Sequence, residues 1–222
     1  GTHVYSQSLY KKAPYDSMAD FEPVAIVTGS PRLLVSRKDL PVNNLKEFIA
    51  YMKANKDKVQ YSSAGVGSGT HLPCALFNFV TAIEITHVPY RGEGPALQDV
   101  IAGRIDMYPA PAVNAIQLGK DGKVNSLAVS SAKRLPLMPE VPTMAEVGLP
   151  KAEYNFWVGA FAPAKTPKPI IERLNREIVA ALKVKEIADK IVALGGDPAP
   201  MTPSEFDAFV RKEIAINAEI VK

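Results

Sequence analysis

The sequence predicts an α/β fold in two lobes, on three observations. Short apolar runs alternate with helix-period stretches along most of its 222 residues. A Gly-rich turn joins one such run directly to a helical pattern. Two strand-like runs, near Val24–Ser36 and near Phe156–Ala162, bracket the alternating region. Alternation implies parallel βαβ crossovers. Bracketing implies a chain that leaves one lobe, builds a second and returns, with a ligand cleft between hinged lobes.

The elements follow in order. Val24–Thr28 and Leu33–Ser36 read as strands separated by Gly29-Ser30-Pro31. Asn43-Asn44 offers a cap to a helix whose Leu45, Phe48, Ile49 and Met52 share a face. Val59–Ser62 is a strand that runs into the turn Ser63–His71. Leu72, Ala75, Leu76 and Phe79 then recur at helical spacing, with Pro73 tolerated in the first turn. Ile85–Pro89 is a strand, Pro95–Ile101 a short helix, and Gly103 stands where a helix C-terminal glycine belongs. Ile105–Tyr108 is a strand, Val113–Leu118 a helical turn or two, and Leu127–Ser130 a strand.

From Arg134 to Pro150 prolines and apolar residues interleave without a period, which reads as a long ordered loop. Phe156–Ala162 is strand-like. Ile170, Ile171, Leu174, Ile178 and Leu182 make one helical face over Pro167–Lys183, and Lys185–Leu194 is a further helix stopped by Gly195-Gly196. Thr202-Pro203-Ser204-Glu205 has capping-box spacing and opens a last helix with Phe206, Phe209, Val210 and Ile214 inside.

Composition excludes several function classes. Basic and acidic residues number 26 and 23 and are scattered, so no basic stripe marks a nucleic-acid partner. No apolar run approaches the roughly 20 residues needed to span a bilayer, so direct membrane insertion is not expected. Cys74 is the single cysteine, which rules out an intrachain disulfide and a thiolate zinc cluster; on its helix it reads as a small core residue. The three histidines, His3, His71 and His87, are isolated, so no metal site is expected.

The turn Ser63–His71 carries the clearest chemical signal. Gly65, Gly67 and Gly69 permit positive φ and close backbone approach. The first amides of the following helix lack intrahelical partners, and the helix dipole is positive there. Ser63, Ser68 and Thr70 add hydroxyls, so an anion is the natural ligand, beside the plain alternative of a tight βα turn. The Lys-Ser/Thr of a nucleotide P-loop is missing after Gly69, and the glycine spacing is not the dinucleotide fingerprint, so carboxylate is favoured over phosphate. A hydrolase reading needs Ser68 as nucleophile with His71 beside it, but the G-x-S-x-G elbow is incomplete. His71 reads as a hydrogen-bond donor or first-turn residue, and His87 as a satisfied, semi-buried one.

Four stretches resemble a known family. They are Tyr61–His71 (YSSAGVGSGTH), His87–Gly92 (HVPYRG), Ser131–Arg134 with Pro139–Thr143, Glu146 and Gly148, and Phe161–Pro167 (FAPAKTP). Together they are similar to the Bug-type, TctC-like periplasmic solute-binding proteins of tripartite tricarboxylate transporters. The resemblance implies a type II periplasmic binding protein-like α/β fold with two lobes and hinge strands. Domain I would comprise 1–31 and 155–222, and domain II 32–154. It implies a periplasmic receptor for a small organic carboxylate, delivering to the membrane components of such a transporter, with no catalysis and no cofactor. An effector-binding domain of a transcription regulator is the alternative. Ser63, Ala64, Gly67, Ser68, Thr70 and His71 would hold the carboxylate, Tyr90 would line the pocket, and Thr2 and His3 would stand at the other lobe's rim.

Thr2-His3, Ser8–Lys12 and Pro14-Tyr15-Asp16 resemble a region well inside the family's usual chain. The resemblance therefore implies a first lobe incomplete at its N-terminus. Where the family often carries an acidic residue and Asn after the strand Ile105–Tyr108, this chain has Pro109-Ala110-Pro111. That departure argues against an ammonium-bearing ligand and for a plain or more apolar carboxylate.

Overall fold

The computed structural model describes residues 2–5, 13 and 15–220, so Ser8–Lys12 and Pro14 of the N-terminal resemblance lie outside the described residues. The chain divides into two compact units, one of Gly1–Ser30 with Phe156–Lys222, the other of Pro31–Asn155.

The first unit holds a three-stranded sheet. Strand β1 (Phe21–Gly29) pairs antiparallel with the strand Trp157–Pro163 on one side and with the two-residue strand Asp197–Pro198 on the other. Helix Lys168–Lys183 turns Ile171, Asn175 and Leu182 inward. The buried Asn175 Nδ2 donates to Val24 O at 2.8 Å and to Met201 O at 2.9 Å, tying the helix to β1 and to the loop beyond. One expectation fails on this helix. Ile170 and Leu174 are 49% and 43% exposed, so the apolar face read from the sequence is wider than the buried one. Helix Lys185–Ala193 buries no side chain. The last helix, Pro203–Ile220, opens on the expected box: Thr202 N–H donates to Glu205 Oε2 at 2.8 Å and Glu205 N–H to Thr202 Oγ1 at 3.3 Å.

The second unit is a five-stranded sheet between two helical layers. Its strands are β2 (Arg32–Arg37), β3 (Gln60–Ser63), β4 (Thr86–Pro89), β5 (Met107–Pro111) and β6 (Val124–Val129), in the order β4-β3-β5-β2-β6. Its helices are α1 (Leu45–Ala54), α2 (His71–Thr81), α3 (Glu93–Ile101) and α4 (Ala112–Lys120). Alternation along β2 divides the core. Leu34 packs with Phe48, Met52, Cys74 and Phe77 on the α1 and α2 side, while Leu33 and Val35 pack with Ala96, Val100 and Ala115 on the other.

Strands β3 to β6 run in one direction, as the βαβ reading requires. The exception is β2, antiparallel to both its neighbours, β5 and β6. Its link to β3 passes through α1, but that connection does not join two parallel strands, so β2 stands outside the βαβ series. Two further expectations change. Phe79 is 83% exposed, because the buried stripe of α2 runs through Leu72, Cys74, Leu76 and Phe77. Helix α4 is longer than a turn or two.

Asn44 caps α1 as expected, its side chain accepting from Glu47 N–H at 2.9 Å. Gly103 follows α3 with φ +76°. The loop after β6 is ordered by Arg134, which bonds Glu146 at 2.8 Å and Pro139 O at 2.7 Å, and by a parallel bridge between Val129 and Thr143.

Candidate functional site: the turn after β3

The strand order reverses at β3. From β3 the chain goes out to β4, then α3 carries it back across β3 to β5. Such a switch point opens a crevice at the carboxyl ends of the strands, the usual ligand position in an α/β sheet. The Gly-rich turn leaves β3 at that edge, and Pro111 starts α4 from β5 at the same edge.

Prolines in a central strand would ordinarily break it. Ala112 N–H donates to Pro31 O at 3.1 Å, so the even-numbered amides of β5 face β2 and the nitrogens of Pro109 and Pro111 face β3. β5 pairs with β3 only at Tyr61 and Met107, so past Met107 there is no ladder on that side for a proline to interrupt.

Within the turn, Gly65 has φ +124° and Gly67 φ +72°, backbone that other residues rarely adopt. A Cβ on Gly65 would stand 3.4 Å from Tyr90 O, and Tyr90 N–H donates to Ser63 O at 2.9 Å. The ends of β3 and β4 are thereby held together. Several amides are already used. Ala64 N–H donates to Thr70 Oγ1 at 2.8 Å, Gly65 N–H to Ser63 Oγ at 3.1 Å, Gly67 N–H to His71 Nδ1 at 3.3 Å and Ser68 N–H to Gly65 O at 3.1 Å. Among the described residues, the amides of Val66, Gly69 and Thr70 have no protein acceptor. They stand at the positive end of α2, whose 11 residues supply the dipole.

The histidines are neutral supports. His71 accepts from Gly67 N–H through Nδ1, so its proton is on Nε2, and burial lowers its pKa. It is the first residue of α2, the first-turn position expected of it, and its bond in the turn is as an acceptor rather than a donor. Its ring stacks on His87 with centroids 4.4 Å apart, and Tyr61 stacks on His87 at 4.7 Å. Burial, and then the neighbouring His71, bring His87 down to about 4. His87 Nε2 lies 2.7 Å from Ser63 Oγ.

That Ser–His contact has the spacing of a nucleophile and base, yet Ser63 is fully buried and an imidazole of such low pKa is a poor base at neutral pH. Ser68 Oγ is 3.0 Å from Thr70 Oγ1, while His71 Nδ1 is occupied by the Gly67 amide; neither serine forms a working triad.

The remaining expected residues are placed differently. Tyr90 donates its phenol to Asp99 Oδ2 at 2.5 Å, and Asp99 also pairs with Arg104. Burial first, and Asp99 next, raise the phenol to about 12, so what Tyr90 brings to the turn is its backbone. His3 belongs to the first unit. Its ring stacks on Tyr15 and packs against Phe21 and Phe161, with Nε2 3.2 Å from Ser17 O, and burial lowers its pKa. Thr2 lies in the short turn Thr2–Val4, its side chain outside the described residues.

Sequence reasoning missed the buried Arg32 and its partner Glu93. Arg32 is 3% exposed at the start of β2, and its Nη1 meets Glu93 Oε1 at 3.4 Å. An arginine beginning an apolar strand was the available signal. Among the described residues, no group of histidine, cysteine or carboxylate side chains is placed to hold a metal, and no helix is long and apolar enough to cross a membrane.

Residues 2–222 match the model of the family described as tripartite tricarboxylate transporter family receptor. Protein BugT of Bordetella pertussis is 35% identical over 217 residues, which is 97% of this chain and 66% of BugT. Solved structures superpose closely. MatC from Rhodopseudomonas palustris with bound malate has a TM-score of 0.91 at 34% identity, covering 100% of this chain and 76% of that one. A second R. palustris protein, with adipate, also has a TM-score of 0.91, at 33% identity, covering 100% of this chain and 75% of that one. The chain spans 57 to 66% of the length of three of the curated relatives it matches, BugT among them.

Proposed function

This chain belongs to the tripartite tricarboxylate transporter receptor family, and we propose that it is the receptor part binding a small organic carboxylate in the periplasm for delivery to the transporter's membrane components. The observation that carries this reading is the set of open amides at Val66, Gly69 and Thr70, at the start of α2 and at the switch point of the sheet. A carboxylate accepts several N–H bonds at once and is favoured at the positive end of a helix. Ser68 and Thr70 hydroxyls flank those amides, and His71, Ser63, Ala64 and Gly67 act as the frame that holds the turn open.

The relatives with malate and with adipate support a carboxylate as the class of ligand. The buried Pro109-Ala110-Pro111 strand end contributes no acidic side chain, and Glu93 is paired with Arg32, which favours a ligand without an ammonium group. Family membership and the absence of a working Ser–His arrangement at the turn support a binding role over catalysis.

Thermal unfolding against a panel of organic acids that includes malate and adipate tests the proposal. An acid present at a hundred times its Kd stabilises the native state by about 2.7 kcal/mol. A panel in which no acid raises Tm, at concentrations up to a hundredfold above micromolar, overturns it.

A further inference from the structure

The Arg32–Glu93 pair is unequal. The Arg32 side chain is 4% exposed and that of Glu93 40%, and Nη1 meets Oε1 at 3.4 Å, long for a charge-assisted bond. A buried cation is costly to leave without an anion, whereas a half-exposed carboxylate can turn into water. Glu93 also stands in the first turn of α3, where the helix dipole favours a carboxylate whether or not it holds an arginine. Of the two, Glu93 is the partner that can leave.

The pair also lies at the site. Arg32 opposes Pro111 across the β2–β5 ladder, so the reversed β2 begins at the carboxyl end of β5. Side chains alternate along β2, which puts Arg32 on the α2 side with Leu34. Glu93 begins the helix that covers the opposite face. It follows Tyr90 by three residues, and Tyr90 N–H holds Ser63 O at the root of the Gly-rich turn. To meet Glu93 the guanidinium therefore reaches over the carboxyl end of β5, into the switch-point crevice that the turn borders. β5 is the only strand between β2 and β3, so the gap is two strand spacings, roughly 10 Å. An arginine side chain and a short diacid together close such a gap.

We propose that Arg32 is a specificity residue: it takes the second carboxylate of a dicarboxylic acid whose first sits on the turn's amides, and Glu93 holds its place until the ligand arrives. The guanidinium fork matches a carboxylate bidentately, in place of the long contact to Glu93. The incoming carboxylate replaces the departing one, so the buried charge stays neutralised. A monocarboxylic acid leaves Glu93 where it is and gains nothing from Arg32. The proposal rests on the reading of the turn as a carboxylate site.

Calorimetric titration with two matched pairs tests it: adipate against hexanoate, and malate against 2-hydroxybutyrate, each pair differing by a carboxylate in place of a methyl. The wild type is expected to bind at least one diacid about tenfold more tightly than its methyl counterpart. In Arg32→Met that diacid is expected to fall to the level of its counterpart, whose own affinity changes by less than about twofold. Glu93→Gln, which weakens the competitor, is expected to bind the diacid about three- to tenfold more tightly and the monoacid as before. A pair that only holds the fold predicts equal losses for diacid and monoacid in both variants, and that result overturns the proposal. If Arg32→Met does not fold, Glu93→Gln decides alone, and no selective gain there overturns it. A wild type that binds diacids and their counterparts equally, or takes only other acids of the panel, also overturns it and leaves the carboxylate reading standing. If no acid of the panel binds, both fall.

Discussion

Ser63 Oγ makes three hydrogen-bond contacts around one proton, one of them to His87. Ser63 accepts from Gly65 N–H and donates to Gly65 O, both at 3.1 Å, so the 2.7 Å contact to His87 is met when His87 Nε2–H donates to it. Burial, with His71 next, lowers its pKa to about 4, and that keeps the imidazole neutral near pH 7. The linkage follows from the sign of the shift. Unfolded His87 takes up a proton below its ordinary value of 6.5, whereas the folded protein resists until about 4, so stability is full above 6.5 and is lost as pH falls from 6.5 to 4. His71, lowered by burial, adds in the same direction. Urea unfolding of the wild type and of His87→Gln across pH 4–7 measures it, and the wild type is expected to lose about 2 kcal/mol more than the variant over that range. Equal losses in the two proteins would remove the histidine from the account.

At the scale of elements, apolar period locates a helix but not the width of its buried face. The helix Lys168–Lys183 shows five apolar residues on one side, yet Ile171 is 7% exposed and Ile170, next to it, 49%. Ile171→Ala is expected to cost 2–5 kcal/mol and Ile170→Ala well under about 1 kcal/mol, by chemical denaturation. Comparable costs at the two positions would contradict the packing described. Phe79 on α2 gives the same lesson, since a residue at helical spacing from Leu72 and Leu76 points away from the sheet. Caps and turns were more legible. Asn44, Thr202 with Glu205, and Gly103 each do locally what their residue type does in any chain.

Across the whole molecule, the two units differ in how much they bury. The five-stranded sheet is covered by helices on both faces, with β2, β3 and β5 inside it. In the other unit the helix Lys185–Ala193 buries nothing, and Ile187, Val192 and Leu194 are 38%, 41% and 58% exposed. Amide hydrogen exchange should therefore be slowest in β2 and β5 and faster by orders of magnitude over 185–193. Uniform protection across both would show that burial does not govern local opening here.

The sequence by itself determined the class of fold, the position of most elements and, through four short stretches taken together, the family. These are local properties: period, capping chemistry, glycine conformational freedom and the order of motifs along the chain. Tertiary structure alone decided the reversed direction of β2, the commitment of the Tyr90 phenol to Asp99, the acceptor role of His71 and the pairing of the buried Arg32 with Glu93. The pairing of β2 and the Arg32–Glu93 contact join distant parts of the chain, 61 residues apart in the second case, while the Tyr90 and His71 bonds are shorter in range but still set by folded geometry. A side chain's hydrogen-bonding role is fixed by what it meets, and that is a property of the packed sheet rather than of spacing along the chain.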